Sequence, residues 1–305
     1  MANSQMIVSS SILPETISVY LSEAQSDSPE QQQKALQTLA TITKVSPQNR
    51  NLLAKTNGAV ATLLALSKTS SSTIQSLSLS ILFNLSLNPD LKKSLAEMET
   101  IYVLNSIILT PISPESSRLA ASLVCSLAML DKNKTKFGVA GTVEVLVNMI
   151  ARPRGPAAHH LLSSLAELVQ FHGNCTLAVR SGAVQVLIQL VESTDGEDLA
   201  GTSLAVLGLL ARFVEGLNAL IKTEHIVNTM LNVLKGRCTF SKEGAAEILL
   251  HLFDESEGCL REALSLPEFV SALTDLSVRG SARAREKTSY LMKKMTDADF
   301  SALTL

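Results

Sequence analysis

Residues Asn49–Asn88 read NRNLLAKTNGAVATLLALSKTSSSTIQSLSLSILFNLSLN. The Asn57-Gly58 pair predicts a sharp turn, because glycine tolerates the left-handed backbone found just past a helix end. Ahead of the turn, NRNLLAK predicts a short first helix. Behind it, Ala59–Ser67 predicts a second, with Val60, Leu63 and Leu64 on one stripe at helical spacing. The Ser/Thr cluster Thr69–Thr73 then breaks the chain and offers N-caps. Ile74–Leu87 predicts a third helix, apolar nearly all round, as expected of a helix buried between neighbours.

The same grammar recurs in both directions. Asn133–Ile150 reads NKTKFGVAGTVEVLVNMI and Asn174–Val191 reads NCTLAVRSGAVQVLIQLV. Near the end of each third helix stands one apolar residue: Ile42, Leu85, Leu127, Leu168, Leu209, Leu252 and Met295, spaced by 41 to 43 residues. A second series precedes it by 27 or 28 residues: Glu15, Gly58, Glu99, Gly141, Gly182, His225 and Glu268. Each member of that series is followed at +2 by Ile17, Val60, Ile101, Val143, Val184, Val227 and Val270. At +5 come Tyr20, Leu63, Leu104, Leu146, Leu187, Met230 and Leu273. A helical period of roughly 40–47 residues marks an α-solenoid built from stacked repeats. Its general business is holding other macromolecules.

Composition agrees with stacked helices. Apolar residues make up 46% of the 305, aromatics only 4%, and tryptophan is absent. Such an array does not follow the usual length rule for domain number, since each unit packs only on its neighbours. A net charge of −2 supplies no general field for nucleic acid or anionic lipid. The four cysteines (Cys125, Cys175, Cys238, Cys259) form no CxxC pair, which points to reduced structural thiols in a cytoplasmic or nuclear protein. No Lys or Arg occurs in residues 1–33, so a secretory signal would lack its basic start. The longest apolar stretch, around Leu119–Leu130, falls short of the ~20 residues needed to span a bilayer. Three glycosylation sequons (Asn84, Asn133, Asn174) are present, the first inside a core helix.

The asparagine starts, the Gly-Ala-Val turn and Leu82–Ser86 (LFNLS) resemble armadillo repeats. A short helix before the glycine favours that family over HEAT repeats, which are helical hairpins. With the C-terminal segment Arg279–Met292 (RGSARAREKTSYLM), the chain is most similar to the armadillo region of plant U-box ubiquitin-ligase proteins. The resemblance implies an all-α fold, a right-handed superhelix of about seven repeats. The expected organisation is a flexible N-terminus, 1–11, and one armadillo domain, 12–303. Its repeats run approximately 12–48, 49–89, 90–131, 132–172, 173–214, 215–257 and 258–303. About 14 residues precede the first repeat and none resembles a U-box. The expectation is therefore either an armadillo-only relative or the substrate-binding part of a ligase. Both are non-enzymatic in themselves and tied to ubiquitin or stress signalling in plants.

In peptide-binding members of the family, an Asn on each third helix clamps an extended peptide and a Trp one turn earlier stacks on it. The matching Asn column reads Thr41, Asn84, Ser126, Glu167, Gly208, His251 and Lys294. The Trp column reads Gln37, Ser80, Ser122, Ser163, Leu204, Glu247 and Tyr290. With one Asn of seven and no Trp, capture of extended nuclear-import signals is not expected. The candidate groove is instead lined by Ser80, Asn84, Ser122, Ser126, Ser163 and Glu167, with Arg118 and His159 one turn further back. Such a floor could receive an acidic peptide or a partner helix. Equally, short polar residues there could simply let third helices approach closely. Arg279, Arg283, Arg285 and Lys287 form a basic cluster that reads as a solvated cap or a docking patch for an acidic partner.

No catalytic, cofactor or metal site is expected. His159 and His160 are adjacent and point about 100° apart on a helix, and His172/Cys175 has HxxC spacing without a second pair. No HExxH, GxSxG, P-loop or dinucleotide-binding glycine motif occurs.

Overall fold

Four helices start on the same two residues, a Ser or Asn followed by Pro. The pairs are Ser28-Pro29, Ser46-Pro47, Asn88-Pro89 and Ser113-Pro114. In each, the side-chain oxygen accepts a first-turn N–H, while Pro occupies the position whose N–H has no intrahelical partner. The computed structural model describes residues 14–153, 155–193 and 197–303, and all regular structure among them is helical. The expected flexible segment, 1–11, lies outside the described residues.

Two compact units divide the chain between Lys136 and Phe137. In the first, α1 (Pro14–Glu23) packs on α2 (Pro29–Val45). The triplet α3 (Pro47–Lys55), α4 (Ala59–Ser67) and α5 (Ser72–Ser86) follows, and then α6 (Pro89–Leu95), α7 (Met98–Leu109) and α8 (Pro114–Ala128). The third helices α2, α5 and α8 pack side by side in sequence order. A ninth helix, α9 (Asp131–Val139), leads on to the second unit, which holds α10 (Thr142–Ile150) and α11 (Ala158–Leu168). Three triplets complete it: α12 (His172–Arg180), α13 (Ala183–Glu192), α14 (Glu197–Ala211); α15 (Val214–Ile221), α16 (Ile226–Lys235), α17 (Thr239–Glu255); and α18 (Glu257–Ser265), α19 (Pro267–Arg279), α20 (Ala282–Leu303). Here α11, α14, α17 and α20 pack in order.

The apolar columns form most of the core. Leu85, Leu127, Leu168 and Leu252 are fully buried and Met295 nearly so, as are Leu63, Leu104, Leu146, Leu187, Met230 and Leu273. Several members depart from this pattern. Ile42, Leu209, Val60 and Tyr20 are only half-buried, and Val270 is 56% exposed. In α14 Leu209 is half-buried while the next residue, Leu210, is fully buried, with its carbonyl so close to Gly216 that a Cβ would not fit.

Gly58, Gly141 and Gly182 take φ of 74°, 76° and 83°, the left-handed turns expected between first and second helices. His225 adopts the same conformation at 58°, a strained choice for a residue with a Cβ. The acidic members of that series do different work. Glu15, Glu99 and Glu268 sit in the first turns of α1, α7 and α19, where a negative charge complements the helix dipole. Glu99 and Glu268 also pair with Lys68 and Lys235 of the preceding second helices.

Asparagines lock the corners between one repeat and the next. Asn49 donates to the Ile42 carbonyl (3.3 Å), Asn133 to Leu127 (2.9 Å) and Asn174 to Leu168 (3.1 Å). Each acceptor belongs to the leucine column, in a last helical turn whose carbonyls would otherwise lack partners. The C-terminal basic segment is divided between two helices. Arg279 ends α19, Gly280 is extended, Ser281 accepts from the Ala284 N–H, and α20 runs on past Asp297 and Asp299.

Candidate partner-binding face

Third helices present one row of side chains to solvent and turn the rest inward. In the first unit the candidate residues separate on this basis. Ser80 and Ser122 are half-buried, and the Ser122 hydroxyl donates back to the Arg118 carbonyl (2.8 Å). Arg118 is held on its own helix by both carboxylate oxygens of Glu115. That hydrogen bond raises the guanidinium pKa, against a smaller desolvation effect.

Asn84 and Ser126 do not line the face. Asn84 is 5% exposed, and its amide nitrogen donates to the Ala40 carbonyl and the Thr43 hydroxyl of α2, both at 3.1 Å. Ser126 is 7% exposed and accepts from the Ser86 hydroxyl (2.8 Å) and the Lys92 ammonium (3.1 Å). Both are turned into the seams between neighbouring third helices, where an unsatisfied polar group would cost about 1–3 kcal/mol. Phe83 on α5 and Cys125 on α8 are half-buried beside Ser80, Arg118 and Ser122, and Leu87 and Met129, just past the two helix ends, are exposed.

In the second unit, His159 and Ser163 are exposed on α11 and Glu167 is half-buried, with Gln170 donating to its carboxylate (3.3 Å). Further along, the face becomes ionic. Lys287 of α20 contacts Glu247 (2.7 Å) and Glu243 (3.8 Å) of α17, Lys294 pairs with Asp254, and His251 lies 3.6 Å from Glu247. Burial pushes the Glu247 carboxyl up, but the hydrogen bond and charge of Lys287, joined by His251, outweigh it and hold the pKa below its ordinary value. Lys287 is thus committed to α17. Arg279 pairs with Asp275 (3.3 Å), while Arg283 and Arg285 are exposed on α20. The four basic candidates therefore do not act as one patch. Nothing in the sequence flagged Glu243–Glu247–Lys287 as a cluster, although their spacing of about one repeat was visible in it.

His172 and Cys175 are not a ligand pair. His172 bonds Glu215 (3.2 Å) and lies against the Phe213 ring, whereas Cys175 is buried. Burial, then the Glu215 charge, pushes its thiol up to about 11. The described residues contain no group of three His, Cys, Asp or Glu able to hold a metal. No single helix among them is long and apolar enough to cross a membrane.

Residues 16–302 match the family described as the plant U-box protein ARM repeat region. The chain belongs to that family. It is 28% identical over 213 residues to U-box domain-containing protein 8 of Arabidopsis thaliana, covering 70% of this chain and 55% of that protein. It is 32% identical over 116 residues to U-box domain-containing protein 1 of Medicago truncatula, covering 38% and 17% respectively. This chain thus spans about half, or less, of the length of these relatives. An engineered protein of known structure superposes with a TM-score of 0.79 at 19% identity, over 94% of this chain and 72% of its own. Computationally designed armadillo repeat proteins for modular peptide recognition superpose at 0.69 and 17% identity, over 79% of this chain and 99% of theirs. The fold is that of the armadillo solenoid.

Proposed function

We propose that this chain is a non-enzymatic scaffold that holds partner proteins on the exposed faces of its third helices. One observation carries the reading. Successive third helices keep side chains of varied chemistry facing solvent (Ser80, Arg118 and Ser122; His159 and Ser163; Glu243 and Glu247), while the rest of each helix is spent on packing. Membership in a family named for U-box proteins adds a finer proposal, that the partners belong to ubiquitin-linked or stress signalling in plants, in the cytoplasm or nucleus. A second reading is that this is the client-binding region of a U-box ligase, favoured by matches that cover only part of each relative.

The test is affinity capture with the intact chain, followed by binding of the captured partner to Arg118→Glu/Ser122→Trp. Loss of binding with an unchanged thermal melt supports the third-helix face, whereas normal binding excludes it in the first unit. In the same preparation, no ubiquitin transfer is expected with activating and conjugating enzymes supplied. Transfer at an appreciable rate would overturn the non-enzymatic reading.

A further inference from the structure

Helix α17 runs for 17 residues from Cys238, whose own side chain makes no capping hydrogen bond to the first turn. Cys238 holds the cap position, and the backbone N–H groups of Thr239, Phe240 and Ser241 meet no acceptor among the described residues. A helix start concentrates unpaired donors and partial positive charge. A second, independent feature lies at the same place. Ser241 is 7% exposed, yet its hydroxyl has no hydrogen-bond partner among the described residues. Cys238 and Ser241 both line a cavity of about 510 Å³, so this largely buried residue meets the cavity with an unpartnered hydroxyl. Arg237, His225, Asn228 and Asn232 line it too. All of them are exposed, and all carry groups able to donate a hydrogen bond.

We propose that this cavity binds a phosphoryl group carried on a small organic moiety. The first-turn N–H groups of α17, the Ser241 hydroxyl and the Arg237 guanidinium supply the donors. A tetrahedral oxyanion matches that set, because its oxygens accept from several directions at once and a helix N-terminus favours negative charge. The volume exceeds what a bare phosphate fills, leaving room along the amide-bearing face of α16 for the rest of the molecule. Glu192 also lines the cavity, with one oxygen held by the Thr229 hydroxyl (2.8 Å). Its charge selects a ligand whose negative charge is confined to one end. This cavity lies on second-helix and helix-start residues, apart from the partner-binding face, and does not depend on that reading.

The experiment is calorimetric titration of the full chain at constant ionic strength with inorganic phosphate, glycerol 3-phosphate and N-acetyl-O-phosphoserine amide, with acetate as the control anion. Saturable binding of at least one phosphoryl compound is expected, at least about tenfold tighter than acetate. Arg237→Ala and Ser241→Ala should each weaken it by about tenfold or more. Neither change removes a recorded contact, so thermal melts should be unchanged. The stronger of the two organic probes assigns the source, a free metabolite or a phosphorylated side chain. Absence of saturable phosphoryl binding, or wild-type binding by both variants, would overturn the proposal.

Discussion

The seam between α5 and α8 and the seam between α17 and α20 join equivalent helices by different chemistry. In the first, neutral hydroxyls meet: Ser86 with Ser126 (2.8 Å), and Ser76 with Ser116 (3.4 Å), with the Lys92 ammonium closing over the Ser126 hydroxyl. In the second, carboxylates of α17 face lysines of α20. The leucine column is buried alike in both units. The fold therefore requires apolar columns and close helix approach, and it leaves the polar seam free to vary. A buried seam built on hydroxyls, with one buried ammonium and no carboxylate among the groups named, should respond little to salt and mild acid, whereas a half-exposed ionic seam should respond to both.

The largest expected effect is the one the two regions share. Leu85→Ala and Leu252→Ala should each destabilise by about 2–5 kcal/mol, since both remove fully buried side chains. Urea unfolding with hydrogen exchange resolved by segment measures both, and a loss confined to one unit would refute a common core.

Ser126→Ala comes next, at about 0.5–1.5 kcal/mol, because it removes a buried hydroxyl bonded to Ser86 and Lys92, although Ser86 keeps the Phe83 carbonyl (2.7 Å) and Lys92 the Ser126 carbonyl. The loss should be the same in low and high salt. A loss that shrinks with added salt would show that Lys92 acts there mainly as a free charge.

Lys287→Met should cost about 1 kcal/mol or less, and the loss should fade as salt is raised, as for other partly exposed ion pairs. A larger, salt-independent loss would make this seam as buried in character as the first.

The smallest effect is on the pH profile. Glu247 has a depressed pKa, so its contribution is fully present above the unfolded value, about 4.3, and is lost as pH falls through the lower folded value. Acid unfolding of wild type and Glu247→Gln, followed by exchange in α17 and α20, should differ only in that window. Identical profiles would dissociate the carboxyl from Lys287.

The repeat period, the glycine turns and most of the leucine column were legible because each rests on a local rule repeated many times in one chain. Leu209 holds its place in the period yet is only half-buried, because periodicity marks a position and not how closely the neighbouring helices cover it. Asn84 and Ser126 were assigned to a face by column position. Their direction is set by hydrogen-bond partners on the adjacent repeat, at Ala40, Thr43 and Ser86, which lie about one period away in sequence. For Lys287 of the basic cluster, charge was visible in the sequence, but the carboxylate it answers, Glu247, some 40 residues earlier, becomes visible only in the fold.

Two of the corner asparagines and the seam residue Asn84 carry one further consequence. Asn84, Asn133 and Asn174 each begin an Asn-X-Ser/Thr sequon, and each spends its amide nitrogen on a carbonyl inside the fold. A glycan would have to be attached through that same nitrogen, so sugar and corner exclude each other. An oligosaccharide could be transferred only to the unfolded chain, and each transfer would leave a buried carbonyl short of its donor and a bulky polar group where two repeats must close. Three of the residues that close one repeat onto the next are thus also the ones that bar the finished molecule from glycosylation.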